Sequence, residues 1–136
     1  MKKIKNNLLA LCLGLVALSG LTSCGTGIFD YCPIEGVWTL GQIDGRPVSD
    51  GEIVEFTFFS DGTGYYGYYT FDSHHRLEWV TTPIDWEFEY DGYGAEYLYV
   101  YPRYSHEVWR YRVDLYSNRM RLYDIDSRQE FMFYDL

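Results

Sequence analysis

Lysine is absent from this chain after residue 5: Lys2, Lys3 and Lys5 are the only three in 136 residues. From residue 24 onward, eight arginines face twenty Asp and Glu residues, twelve negative charges in excess. A surface of that sign repels nucleic-acid phosphates and offers no polybasic patch to anionic lipid. Cysteine is scarce as well. Cys12, Cys24 and Cys32 are the whole supply, too few for a disulfide framework. The apolar run Leu8–Leu18 falls short of the roughly 20 residues a transmembrane helix needs. No stretch carries a helical hydrophobic period, which leaves the all-β classes.

What the N-terminus does have is a basic head, that short apolar stretch, and small residues ahead of Cys24. This is the layout of a secretory leader, and Leu21-Thr22-Ser23-Cys24 resembles the lipobox of bacterial lipoproteins. The resemblance implies a signal peptide over 1–23, acylation of Cys24 by chains such as palmitate, and a tether over 24–33. Each buried acyl methylene contributes about 0.8 kcal/mol, so two or more chains anchor stably. Gly25 and Thr26, not aspartate, follow the cysteine, and no acidic run comes directly after it. In that family those features point to the outer membrane and its periplasmic face. Cys32 is then left as a buried or tethered thiol, an intermolecular bridge, or a partner for an unacylated Cys24.

The remaining residues, 34–136, suffice for one domain and not two. All 27 aromatic residues lie after Cys24, fifteen of them tyrosines, so the segment has the hydrophobicity to fold. Its pattern has period two: Ile84, Trp86, Phe88 and Tyr90 alternate with Asp85, Glu87 and Glu89, and Trp109, Tyr111, Val113 and Leu115 alternate with Arg110, Arg112 and Asp114. Asp44-Gly45, Asp61-Gly62, Asp91-Gly92 and Ser117-Asn118 mark hairpin turns. Strands are expected at about 36–43, 52–60, 63–71, 76–81, 84–90, 95–101, 107–115, 119–125 and 128–134. Eight or nine strands joined by hairpins predict an antiparallel up-and-down β-barrel, which removes exposed edges; a β-sandwich is the alternative.

Gly36-Val37-Trp38, then Asp44-Gly45-Arg46-Pro47 and Phe58-Phe59-Ser60-Asp61-Gly62-Thr63-Gly64, resemble the small lipocalin-like lipoproteins of Gram-negative bacteria. The resemblance covers about residues 34–136. It implies that Trp38 plugs the closed end of a barrel, capped by an arginine such as Arg119, Arg121 or Arg128. It also implies a small apolar or amphipathic ligand at the other end. The chain is shorter than the larger lipocalins and lacks their disulfide pair and long first loop.

An eight-stranded barrel is just wide enough to be filled by side chains or to hold one small ligand. The candidate ligand-binding residues are Tyr65, Tyr69, Trp79, Trp86, Phe88, Trp109 and Tyr111. A two-residue Asp61-Gly62 turn would face Phe58 with Tyr65 and turn Tyr65 and Tyr69 inward. After Tyr90, a four-residue loop would put Tyr97, Tyr99 and Tyr101 inside, and a three-residue loop would put them outside. Outward rings beside Glu87 and Glu89 would suit contact with a basic envelope protein or a glycan. Catalytic constellations are missing: adjacent residues such as His74-His75 would point to opposite faces of a strand, so joint metal ligation would need a bent loop, His106 has no nucleophile motif nearby, and Asp124-Ile125-Asp126 falls short of a calcium loop. The expectation is a non-enzymatic envelope protein with no cofactor, no metal and no nucleic-acid partner.

Overall fold

The computed structural model describes residues 33–135. The expected leader, Cys24 and Cys32 lie outside the described residues. Nine strands follow in order: β1 (Gly36–Ile43), β2 (Arg46–Pro47), β3 (Val54–Phe58), β4 (Thr63–Phe71), β5 (Leu77–Tyr90), β6 (Glu96–Pro102), β7 (Trp109–Leu115), β8 (Arg119–Asp124) and β9 (Glu130–Asp135). From β3 onward each pairs antiparallel with its successor; β1 pairs with β3 on one side and β9 on the other, which closes the ring. The two-residue β2 is a spur on β1 beyond the Asp44-Gly45 turn. The result is an eight-stranded closed up-and-down barrel, broadly lipocalin-like, and not a sandwich.

Alternation builds the interior. Ile84, Trp86 and Phe88 of β5, Leu98 and Val100 of β6, and Met120 and Leu122 of β8 are buried, while the charged residues between them face water. On β1 the inward phase starts at Trp38 and Leu40, then a bulge between Leu40 and Gln42 shifts it so that Ile43 packs against the core. Two expected strands, 76–81 and 84–90, are one fourteen-residue strand, β5. Pro83 does not break it because β6 stops opposite Ile84, so no ladder bond is needed from the proline nitrogen.

One turn corrects the inward expectation for Tyr65 and Tyr69. The β3–β4 connection has three residues, Ser60–Gly62, closed by Phe59 N to Thr63 O (2.8 Å) and Gly62 N to Phe59 O (3.1 Å). Gly62 takes φ +87°, the left-handed geometry that a three-residue hairpin needs. Asp61 Oδ1 fastens the turn by accepting from Thr63 N (2.9 Å) and Thr63 Oγ1 (2.6 Å). Phe58 therefore pairs with Gly64, not Tyr65, and every side chain of β4 changes face. Tyr66 turns in; Tyr65 and Tyr69 turn out, 47% and 37% exposed. Trp79, paired with Tyr69, goes out with it at 37%.

The β5–β6 connection spans Asp91–Ala95, and the bond from Asp91 N to Ala95 O (3.1 Å) closes a three-residue turn, Gly92–Gly94, that pairs Trp86 with Val100. Its parity matches the three-residue case. Tyr97, Tyr99 and Tyr101 stand on the outer face beside Glu89, Glu87 and Asp85.

The alternation predicts a steep contrast between neighbours on β8. Leu122→Ala should lower the urea unfolding free energy by about 2–5 kcal/mol through lost burial and the residual cavity. Tyr123→Ala, next to it and facing out, should cost less than about 1 kcal/mol.

Candidate functional site

The antiparallel order gives the barrel two dissimilar ends. At the base lie the start of β1 and the connections 59–62, 91–95 and 116–118; at the mouth lie 44–53, 72–76, 103–108 and 125–129. The base is packed tight. Trp38 is buried there and donates its indole N–H to Ile34 O at 2.9 Å. Trp86 is equally deep, stacks edge-on against Phe58 at 5.4 Å, and donates to Thr63 O at 2.8 Å. Of the arginines expected over Trp38, Arg119 and Arg121 sit over the Tyr116 ring at 5.1 and 5.8 Å, and Arg128 lies in a mouth-side turn. A polar cleft of about 400 Å³ lies outside the base between Glu35, Trp38, Tyr116 and Asp135.

Toward the mouth the packing opens. A void of about 60 Å³ lies between Leu40, Val54, Phe56, Tyr66, Tyr111 and residues of β9. Ligand sites for drug-sized molecules span roughly 300–1,000 Å³, so the barrel interior is filled rather than hollow. Above it, a vestibule of about 290 Å³ is lined by Tyr66, Tyr68, Thr82, Pro102, Ser105, Glu107 and Trp109. The β3–β4 turn is what brings Tyr66 and Tyr68 to this wall. Tyr66 is shared between void and vestibule, and its ring meets Trp109 edge-on at 4.8 Å and Tyr68 at 5.4 Å. Glu107 Oε2 accepts from the Trp109 indole N–H at 3.2 Å, which fixes the ring across the opening.

Burial raises the Tyr66 hydroxyl above the ordinary tyrosine value, with the neighbouring Tyr68 adding to it. Tyr111 is raised further by burial, then by Asp124 and Tyr66. Both hydroxyls are neutral at physiological pH. On the outer face, burial pushes Tyr101 up to about 12, and the hydrogen bond from its hydroxyl to Glu87 Oε2 (2.9 Å) adds to this.

The seven sequence candidates separate into three places. Trp109 lines the vestibule and Tyr111 lines the void beneath it. Trp86 and Phe88 are core. Tyr65, Tyr69 and Trp79 share the outer face of the β4–β5 hairpin. Trp79 lies against Gly67 so closely that a Cβ there would stand 2.3 Å from the ring, and it meets Tyr69 at 4.9 Å. Phe71 (67% exposed) and Leu77 (49%) continue that apolar stripe to the hairpin tip. Sequence reasoning missed Tyr66, Tyr68 and Glu107. Counting three loop residues instead of two after Phe59 would have found the tyrosines, whereas nothing local marked Glu107.

Among the described residues no group of three or more His, Cys, Asp or Glu side chains gathers as a metal cluster. Comparisons with protein families, curated proteins and solved structures return no match to this chain.

The raised tyrosines carry a pH signature. Folded values above the unfolded value of about 10 leave their contribution intact below pH 10, and stability is lost as pH rises through the folded values. Alkaline unfolding should therefore start above about pH 10, with Tyr66 and Tyr111 ionising only as the barrel opens. Absorbance at 295 nm followed together with circular dichroism checks this.

Proposed function

We propose that this protein is a lipid-anchored component of the cell envelope that holds a small ligand in the aromatic vestibule at the barrel mouth. The observation that carries the reading is the convergence of Tyr66, Tyr68 and Trp109 with the Glu107 carboxylate around about 290 Å³ of open space. Concave sites lined by aromatic rings with a few placed polar groups are the usual form of small-molecule sites. The ligand is apolar or amphipathic and small. It rests mainly in the vestibule, with room for little more than a methyl-sized group in the void below.

The anchor is the acylated Cys24, in the outer membrane and facing the periplasm. What supports it is the leader and lipobox pattern, together with the position of β1. The chain enters the barrel at the base, so a lipid tether turns the mouth away from the bilayer. The expected outcome for Cys24→Ala is release from the membrane fraction into the soluble envelope fraction. Membrane retention at the wild-type level would remove the anchor from the account.

A second reading rests on the apolar stripe of Tyr65, Tyr69, Phe71, Leu77 and Trp79 on the β4–β5 hairpin, which extends past the barrel rim. Contiguous exposed apolar side chains of this kind mark contact surfaces, and a basic envelope protein suits the acidic surroundings.

Native mass spectrometry of the chain purified from its envelope separates the two readings. A non-covalent adduct of small-molecule mass, lost in Trp109→Ala, supports the vestibule. An adduct of protein mass, lost in Phe71→Ser/Leu77→Ser and kept in Trp109→Ala, would replace it with the hairpin.

A further inference from the structure

We infer that the vestibule selects an organic cation: an ammonium group carrying small alkyl substituents, seated against the rings of Tyr66, Tyr68 and Trp109 and facing Glu107. This rests on the reading of the vestibule as a ligand site and names the chemistry it takes. Glu107 is the only side chain along the vestibule with a formal charge at neutral pH; no arginine or histidine lines it. A carboxylate or phosphate ligand would meet repulsion with no counter-charge, whereas a cation finds one.

The rings supply the second element. Tyr66 meets Trp109 edge-on (4.8 Å, 68°) and Tyr68 at a tilt (5.4 Å, 34°), so the three rings pack against one another as one bent aromatic wall along the space. Aromatic faces carry negative quadrupole density, and several faces around one space are the recognised way to hold an alkylated ammonium. The raised Tyr66 hydroxyl keeps that wall neutral at working pH. The Trp109–Glu107 hydrogen bond adds the third element. It spends one carboxylate oxygen on the indole N–H and leaves the other, Oε1, for a cation. Net charge contributes at long range, since the eight arginines and twenty carboxylates beyond residue 23 give a negative field that concentrates cations.

The test titrates the full chain with choline and, in parallel, with its uncharged isostere 3,3-dimethylbutan-1-ol. The readout is the Trp109 indole N–H resonance, assigned by its loss in Trp109→Phe. The expected result is a saturable shift with choline at least tenfold tighter than with the alcohol. Glu107→Gln, a surface change that leaves the core intact, should weaken choline about fivefold or more and leave the alcohol unchanged. Equal or tighter binding of the alcohol would overturn the cation assignment while keeping the vestibule as a ligand site. No shift with either probe would overturn both. Phosphatidylcholine vesicles distinguish the source of the cation: Glu107-dependent co-sedimentation assigns it to a lipid headgroup, and choline binding without co-sedimentation assigns it to a free molecule.

Discussion

The hairpin turn at Ser60–Gly62 decides where almost every aromatic ring of the β3–β5 region goes. Side chains on a strand alternate faces, so one residue of register moves a whole set from core to water. Gly62 supplies the left-handed residue and Asp61 ties Thr63 back onto the turn. Those local requirements pair Phe58 with Gly64, and the small residue there is needed: a Cβ on Gly64 would stand 2.0 Å from Thr57 O. Everything downstream on β4 follows. Tyr66 and Tyr68 join the vestibule wall, and Tyr65 and Tyr69 are left on the outside.

The same constraint explains why the barrel is tight at one end and loose at the other. At the base, Trp86 meets the Phe58 ring edge-on, and Trp86 and Trp38 satisfy their indole N–H groups on nearby backbone carbonyls, as buried indoles require. At the mouth Tyr66, Tyr68 and Trp109 share the vestibule wall, and Trp109 donates its indole N–H to Glu107. An eight-stranded barrel has interior volume for side chains or for a ligand; here the base takes the first option and the vestibule the second.

Much of the architecture was legible in the sequence. Alternation on β5 and β7, the Asp-Gly turns and the absence of helical period were enough to put an antiparallel up-and-down barrel of eight or nine strands ahead of a sandwich; the strand count and the closure by β1 and β9 came from the structure. Tyr66, Tyr68 and Glu107 were not legible. Asp61-Gly62 reads equally as a two- or three-residue loop, and the choice lies in the left-handed conformation of a single glycine. The turn closed by Asp91 and Ala95 is a similar case, since its parity determined the face of Tyr97, Tyr99 and Tyr101. Glu107 sits in an irregular connection where no periodic signal exists. Sheet content follows from patterning over many residues; the site follows from single-residue register, and the information for it is correspondingly local and thin.

The outer face shows how so acidic a domain limits its own repulsion. Across neighbouring strands the order runs carboxylates on β5, tyrosines on β6 and arginines on β7: Glu89, Tyr97 and Arg112 stand in one row, and Glu87, Tyr99 and Arg110 in the next. Tyrosine hydroxyls lie between the two charged columns, and Tyr101 donates directly to Glu87. Arg103 pairs with Asp85, Arg110 with Asp126, and Arg121 with both Asp114 and Glu130. Each exposed pair is worth little for stability, but their placement has an electrostatic consequence. Arg110, Arg112, Arg119 and Arg121 stand on the barrel wall and Arg46, Arg76, Arg103 and Arg128 in mouth-side connections, and none of the eight lines the vestibule. Glu107 therefore stands as the one charged side chain on the vestibule lining, with no basic group on that lining to cancel its field.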